Sequence, residues 1–329
     1  MKNFQIKHFV SGGLITNYYC TSRCAHCLYA CSSSRKKEYI TGEHSAEILQ
    51  KAKLLDINRL HIGGGEPLLN PDGLLGVLNE FKKFGILPEY AETNSSWYKS
   101  EKNCINTLLI LKKHGLNTLL ISISPFHNEF VPFYKVKSLI KACRIAGMQV
   151  FPWIMDFFSE IDKMEDKKTH TLQEYCQIYG DDYMKTIPSR YWVTMRGRAI
   201  SAYESYLPKY TIEQIFKSND SCCHELSDTT HFHLDLYGNY IPGLCAGLAI
   251  NINDLGAPLD PMKYPFLHLL ATEGIHSLYH EAARNYAFIP KNNYISKCDL
   301  CQHIRQYLII EKNIDSADLK PVSFYTQLI

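Results

Sequence analysis

The chain has 329 residues, 46% hydrophobic and 21% charged, which supports a buried core and excludes a disordered or collagen-like polypeptide. Thirty-five basic against thirty-three acidic residues leave a formal charge of +2, so no global field recruits nucleic acid or an anionic membrane. Residues 1–10 lack the charged and apolar regions of a secretory signal, and no apolar run reaches the ~20 residues of a membrane helix, so a cytoplasmic protein is expected. In that reducing compartment the twelve cysteines point to metal ligation or reactive thiols rather than disulfides.

From Gly13 to Met195, strand-forming runs alternate with helical patterns, as repeated βα units on a parallel sheet require. Strands are predicted at 14–19, 59–62, 89–92, 118–123, 149–155 and 191–195, and helices at 42–55, 71–84, 101–114, 131–146 and 171–187. Pro71 suits a first helical turn, and Gly85, Gly115 and Gly147 suit helix ends. The rhythm stops near Ser205, giving an expected division into 1–205 and 206–329. Beyond it, residues 231–241 read as a hairpin turning at Gly238-Asn239. There is no internal repeat and no low-complexity tract.

Cys20-Thr21-Ser22-Arg23-Cys24-Ala25-His26-Cys27 follows the first predicted strand. Three thiolates leave one iron of a [4Fe–4S] cubane open, whereas four saturate it. The same spacing also suits a zinc ion with His26 or Cys31 as fourth ligand. The second predicted strand runs into Gly63-Gly64-Gly65-Glu66-Pro67, where glycines permit close backbone approach and a carboxylate can meet an ammonium.

Together, these two segments make residues 14–200 resemble the radical S-adenosylmethionine (SAM) superfamily, whose expected fold is a partial (β/α)6 TIM-like barrel. The resemblance implies that Cys20, Cys24 and Cys27 hold a [4Fe–4S] cluster and that Glu66, with Gly64 and Gly65, binds the SAM amino group. Asn94 and Ser122 are placed for SAM's sugar or methionine, or are ordinary strand-end polar residues. Arg196-Gly197-Arg198-Ala199 resembles the segment that follows the barrel in members with an extra cluster, with Arg198 expected on a cofactor or substrate carboxylate; a solvated basic turn is the alternative. An external electron donor such as flavodoxin or ferredoxin is expected.

Cys222, Cys223, Cys245, Cys298 and Cys301 form a second group resembling a Twitch or SPASM-type auxiliary domain, which implies a second [4Fe–4S] cluster in a small C-terminal domain. Cys245, Cys298, Cys301 and one of the pair Cys222 and Cys223 are the expected ligands; a zinc site is the alternative. Cys104, Cys143 and Cys176 are expected to pack as small hydrophobes. His231 and His233 alternate onto one strand face and read as packed or solvated.

Residues 27–32 and 121–131 look like counterparts of segments in radical SAM peptide epimerases, which implies a ribosomally made peptide as substrate, with epimerisation, oxidation or cross-linking as the outcome. Epimerases return hydrogen from a cysteine, and Ala246 stands where their paired hairpin cysteine would, so Cys31, Cys222 and Cys223 become the candidate donors. The alternatives are a Twitch-type small-molecule alcohol dehydrogenase and a non-catalytic iron–sulfur or zinc protein.

Overall fold

The computed structural model describes residues 4–153 and 155–328. Five strands with intervening helices lay down a parallel sheet: β1 (Gly12–Ile15), α1 (Gly42–Leu54), β2 (Arg59–Gly63), α2 (Pro71–Phe84), β3 (Leu87–Thr93), α3 (Glu101–Lys113), β4 (Thr118–Ser122), α4 (Pro125–Asn128), α5 (Phe133–Ala146) and β5 (Gln149–Trp153). The larger helices start where sequence chemistry says they should. Thr41, Asn70 and Ser100 each cap a helix through a side chain that accepts from the third residue on. Gly85 and Gly147 end α2 and α5 in the left-handed conformation. Helix α2 buries Leu74, Val77, Leu78 and Phe81, the one-face spacing of an amphipathic helix against a sheet.

The sheet continues past β1. Its order is β5-β4-β3-β2-β1-β6-β7-β8, with β6 (Phe232–Asp235) parallel to β1 and then β7 (Asn239–Ile241) and β8 (Ile250–Asn251) antiparallel. Gly13 lies opposite His61 on one side and His233 on the other. The hairpin turns through Leu236, Tyr237 and Gly238, and Gly238 alone takes a positive φ, of 75°. Asn239 is thus the first strand residue rather than half of a two-residue turn.

Four expectations need correcting. Residues 191–195 form no strand. There Val193 N–H donates to Tyr191 at 2.7 Å and Arg196 N–H to Thr194 at 2.7 Å, so the segment spends on two-residue turns the groups a ladder needs. The predicted 171–187 helix is two helices, Leu172–Tyr179 and Tyr183–Arg190, separated at Gly180 with φ 103°. Strand β1 also stops at Ile15, because the following residues turn to bond with the β2 exit. The end predicted for β5 at Met155 is a 3-10 turn, and Ile154 lies outside the described residues.

Two buried clusters organise the packing. Phe232, Leu234, Tyr240 and Ile241 from the hairpin share one buried cluster with Leu14, Leu60, Ile62 and Leu119. A second cluster gathers Leu226, Leu248, Phe266 and Leu270 with Leu300, Ile304 and Leu308 of the Lys297–Ile310 helix. No helix among the described residues is long and apolar enough to cross a membrane. Leu234 is fully buried between the two parts of the sheet. Leu234→Ala should therefore lower the unfolding free energy by about 2–5 kcal/mol in urea titration; a loss below about 1 kcal/mol would show that the hairpin is not integral to the first core.

Candidate active site

The strand exits of β2, β3 and β4 and the loop after β1 enclose a cavity of about 400 Å³. Cys20, Cys24, Cys27 and Cys31 line it from the loop, Gly64 and Gly65 from the β2 exit, Tyr90, Glu92 and Asn94 from β3 and its end, and Ser122 from β4. The alternation Tyr90, Glu92, Asn94 is the period-two signature of one strand face.

Hydrogen bonds from distant residues fix the cysteine loop. Cys20 N–H donates to Ser32 at 3.1 Å, Cys27 N–H to Cys24 at 3.1 Å, and Ala30 turns the chain at φ 51°. Arg198 supplies the main brace: Nε donates to the Cys24 carbonyl at 3.0 Å, the NH2 nitrogen to the Cys31 carbonyl at 2.7 Å, and its backbone N–H to the Cys27 carbonyl at 3.2 Å. Gly197 has φ 60°, and a Cβ there would lie 2.2 Å from the Leu28 carbonyl. Arg198 does not line the cavity; its Nε and one terminal nitrogen hold the cysteine loop, and the other terminal nitrogen is buried without a partner.

The β2 exit is built the same way. Gly65 N–H donates to Asn17 at 2.8 Å and Glu66 N–H to Tyr19 at 3.1 Å, and a Cβ on Gly65 would lie 2.0 Å from the Tyr19 carbonyl. Glu66 is fully buried and does not line the cavity. Its carboxylate accepts from Asn94 N–H at 2.7 Å, from Leu68 N–H at 3.2 Å and from the Thr93 hydroxyl, whose oxygen lies 3.0 and 3.1 Å from the two carboxylate oxygens. In this structure its oxygens tie the β2 and β3 exits together. Burial pushes its carboxyl up to about 7 despite those bonds. The carboxylate that does face the cavity is Glu92, also raised to about 7 by burial and then by the Cys27 thiolate. Sequence reading missed it, although the β3 alternation pointed to it.

Asn94 lies in the cavity wall, its Nδ2 3.4 Å from Cys20 Sγ and 3.2 Å from Ser22 Oγ. Burial raises the Cys20 thiol to about 12 and the Cys24 thiol above its usual range. Cys27 moves the other way, because Cys31 donates to it and Arg198 stands nearby. His26 stacks on Phe126 with ring centres 4.5 Å apart and is held neutral by burial.

A second, smaller cavity of about 30 Å³ is lined by Cys223, Cys245, Cys298 and Cys301. Cys298 and Cys301 are one turn apart at the start of the helix capped by Ser296, where the backbone dipole favours anions. Arg196 and Lys297 line the same space, Lys297 paired with Glu225 at 2.8 Å. Cys222 does not line it; its sulfur sits 3.6 Å from His224 Nδ1. Cys104 and Cys143 are buried in the first core, and Cys176 packs against it.

The thiol sets suit a multi-iron cluster better than a single ion. Zinc bonds of about 2.3 Å hold tetrahedral sulfurs about 3.8 Å apart. Yet among the described residues the only three Cys, His or acidic groups whose ligand atoms all lie within 4.8 Å are His61, His231 and His233.

Residues 14–152 match the radical SAM superfamily. That superfamily uses a [4Fe–4S] cluster and SAM. No curated protein matches the chain. Among solved structures, BtrN in complex with AdoMet and 2-DOIA is similar at 15% identity and TM-score 0.45, over 82% of this chain and 89% of that one. anSMEcpe with bound AdoMet is similar at 13% identity and TM-score 0.46, over 92% and 97%. Streptococcus suis SuiB gives 15% identity and TM-score 0.35 over 73% of this chain and 61% of its own length.

Glu66→Gln replaces one acceptor oxygen by a donor facing N–H and O–H groups. It should lower the unfolding free energy by about 1–3 kcal/mol at pH 8, the cost of leaving buried donors unpaired. Unchanged stability in urea titration with weakened SAM binding would instead show that its role is a direct contact with SAM.

Proposed function

We propose that Cys20, Cys24 and Cys27 ligate a [4Fe–4S] cluster with one open iron for SAM, and that Cys223, Cys245, Cys298 and Cys301 hold a second. The observation that carries this reading is the sorting of thiols into two cavities: Cys20, Cys24 and Cys27, with Cys31, beside Gly64, Gly65, Asn94 and Ser122 in the first, and four in the second. Bound there, the first cluster and SAM supply a 5′-deoxyadenosyl radical that takes hydrogen from the substrate. The protein's own contributions are positional. Arg198 fixes the carbonyls of the cysteine loop, Asn94 contacts Cys20, and the glycine exit leaves backbone open beside the thiols. Glu92 is a carboxylate with access to the cavity for an ammonium group. In the second site four thiols complete a cluster, which suits electron transfer rather than substrate ligation. A small auxiliary domain after residue 205 and an external flavodoxin or ferredoxin fit this reading.

The substrate we propose is a residue of a ribosomally made peptide. Of the candidate hydrogen donors, Cys31 lines the cavity, whereas Cys222 and Cys223 do not. A second reading, oxidation of a small alcohol with the second cluster taking the electron, draws on the completeness of the four-thiol set.

Reconstituted enzyme with SAM and reductant should form 5′-deoxyadenosine, and alanine at Cys20, Cys24 and Cys27 together should abolish it; continued formation would refute the assignment. Iron analysis should give about eight per chain, about four in Cys223→Ala and about eight in Cys222→Ala; the reverse order would exchange their roles. In D2O, a peptide product gaining one deuterium at Cα, lost in Cys31→Ala with iron unchanged, supports thiol return. A product two hydrogens lighter supports oxidation instead.

A further inference from the structure

One cluster of side chains belongs to neither cysteine site. His61 projects from β2, His231 lies immediately before β6 and His233 within it, brought beside His61 because β1 lies between β2 and β6. Their ring nitrogens lie within 4.8 Å of one another. His61 Nε2 and His233 Nε2 are 3.0 Å apart, and the His231 ring stacks on His61 with centres 5.3 Å apart.

We propose that His61, His231 and His233 bind a divalent transition-metal ion of the zinc or iron class, with its remaining coordination positions open to the main cavity. The distances are those of a ligand set. Metal–nitrogen bonds of about 2.0–2.1 Å place ligand nitrogens about 3.0 Å apart along an octahedral edge and about 3.4 Å apart in a tetrahedron. The His61–His233 pair already has such a separation.

The surroundings prepare the rings for that task. Tyr29 hydroxyl bonds His233 Nδ1 at 2.7 Å, which fixes the ring and leaves Nε2 facing His61, as an outer partner does for a metal-bound histidine. Glu92 Oε1 lies 3.8 Å from His61 Nε2, a carboxyl oxygen available as a further ligand. The fold makes room for the arrangement: a Cβ on Gly13 would lie 2.2 Å from His61 Nε2. His231 and His233 line the cavity together with Tyr90 and Glu92, so an oxygen or nitrogen donor entering that space reaches the ion.

Zinc chloride added to the reconstituted enzyme tests this independently of SAM cleavage. After gel filtration we expect about one zinc per chain with iron unchanged, and zinc X-ray absorption showing nitrogen or oxygen neighbours at about 2.0–2.1 Å. His231 is only partly buried, so His231→Ala should fold and should lose at least tenfold in zinc affinity; Gly13→Ala, which displaces His61, should do likewise. A sulfur shell at about 2.3 Å would place the zinc on cysteines. That result, no retained zinc, or equal affinity in both variants would overturn the proposal.

Discussion

Everything at the catalytic end depends on how a loop of backbone carbonyls is held still. A run of cysteines spaced three and two residues apart has no regular ladder to stiffen it, and its thiols take up a common aim only if their carbonyls are anchored. Arg198 provides the anchor. One buried guanidinium and its own amide reach the carbonyls of Cys24, Cys27 and Cys31. Its charge also offsets the burial cost that otherwise pushes thiols toward protonation. Charge-assisted bonds of this kind are stronger than neutral ones and directional, so one residue sets both geometry and electrostatics. The adjoining Gly197 and Arg196 extend the brace: Gly197 exchanges bonds with Gln302 at 2.8 and 3.1 Å, and Arg196 reaches the second thiol set.

The β2 exit follows the same logic with a different residue. Glu66 gathers donors from two strand ends, and glycines let the two exits touch. The acidic member of that motif thus serves as a clamp inside the wall, while the carboxylate in contact with the cavity is supplied two strand positions before Asn94. Both carboxyls are raised to about 7 chiefly by burial, so neither is a fixed charge near neutral pH.

Local patterns made most of this legible beforehand. Five βα units, the helix caps at Gly85 and Gly147, the hairpin and both cysteine groups follow from short-range spacing, and the structure bears out the elements. What sequence could not show was non-local. Residues 191–195 have strand composition but close small turns on themselves. The hairpin, forty residues beyond the last βα unit, pairs with β1, a contact no local period encodes. Cys222 and Cys223 are equivalent as letters, and only their backbone direction separates the thiol in the cavity from the one beside His224. Arg198 and Glu66 are singled out by position in a motif, and their hydrogen bonds to the cysteine loop and the β3 exit are contacts that no motif encodes. His61 drew no notice because its partners are some 170 residues away.

The placement of β6 against β1 has a mechanical consequence. A segment that shares a ladder and a core with the first strand cannot swing as a lid: four paired registers and the buried Phe232, Leu234 and Tyr240 would have to separate first. Cys245 of the second thiol set, carried just beyond β7 on the same ribbon, is therefore held at a fixed separation from the first set, with Leu244 facing one cavity and Cys245 the other. Electron tunnelling between two such centres would have a constant gap, insensitive to whether substrate is bound, and substrate would have to enter by a route that leaves this seam shut.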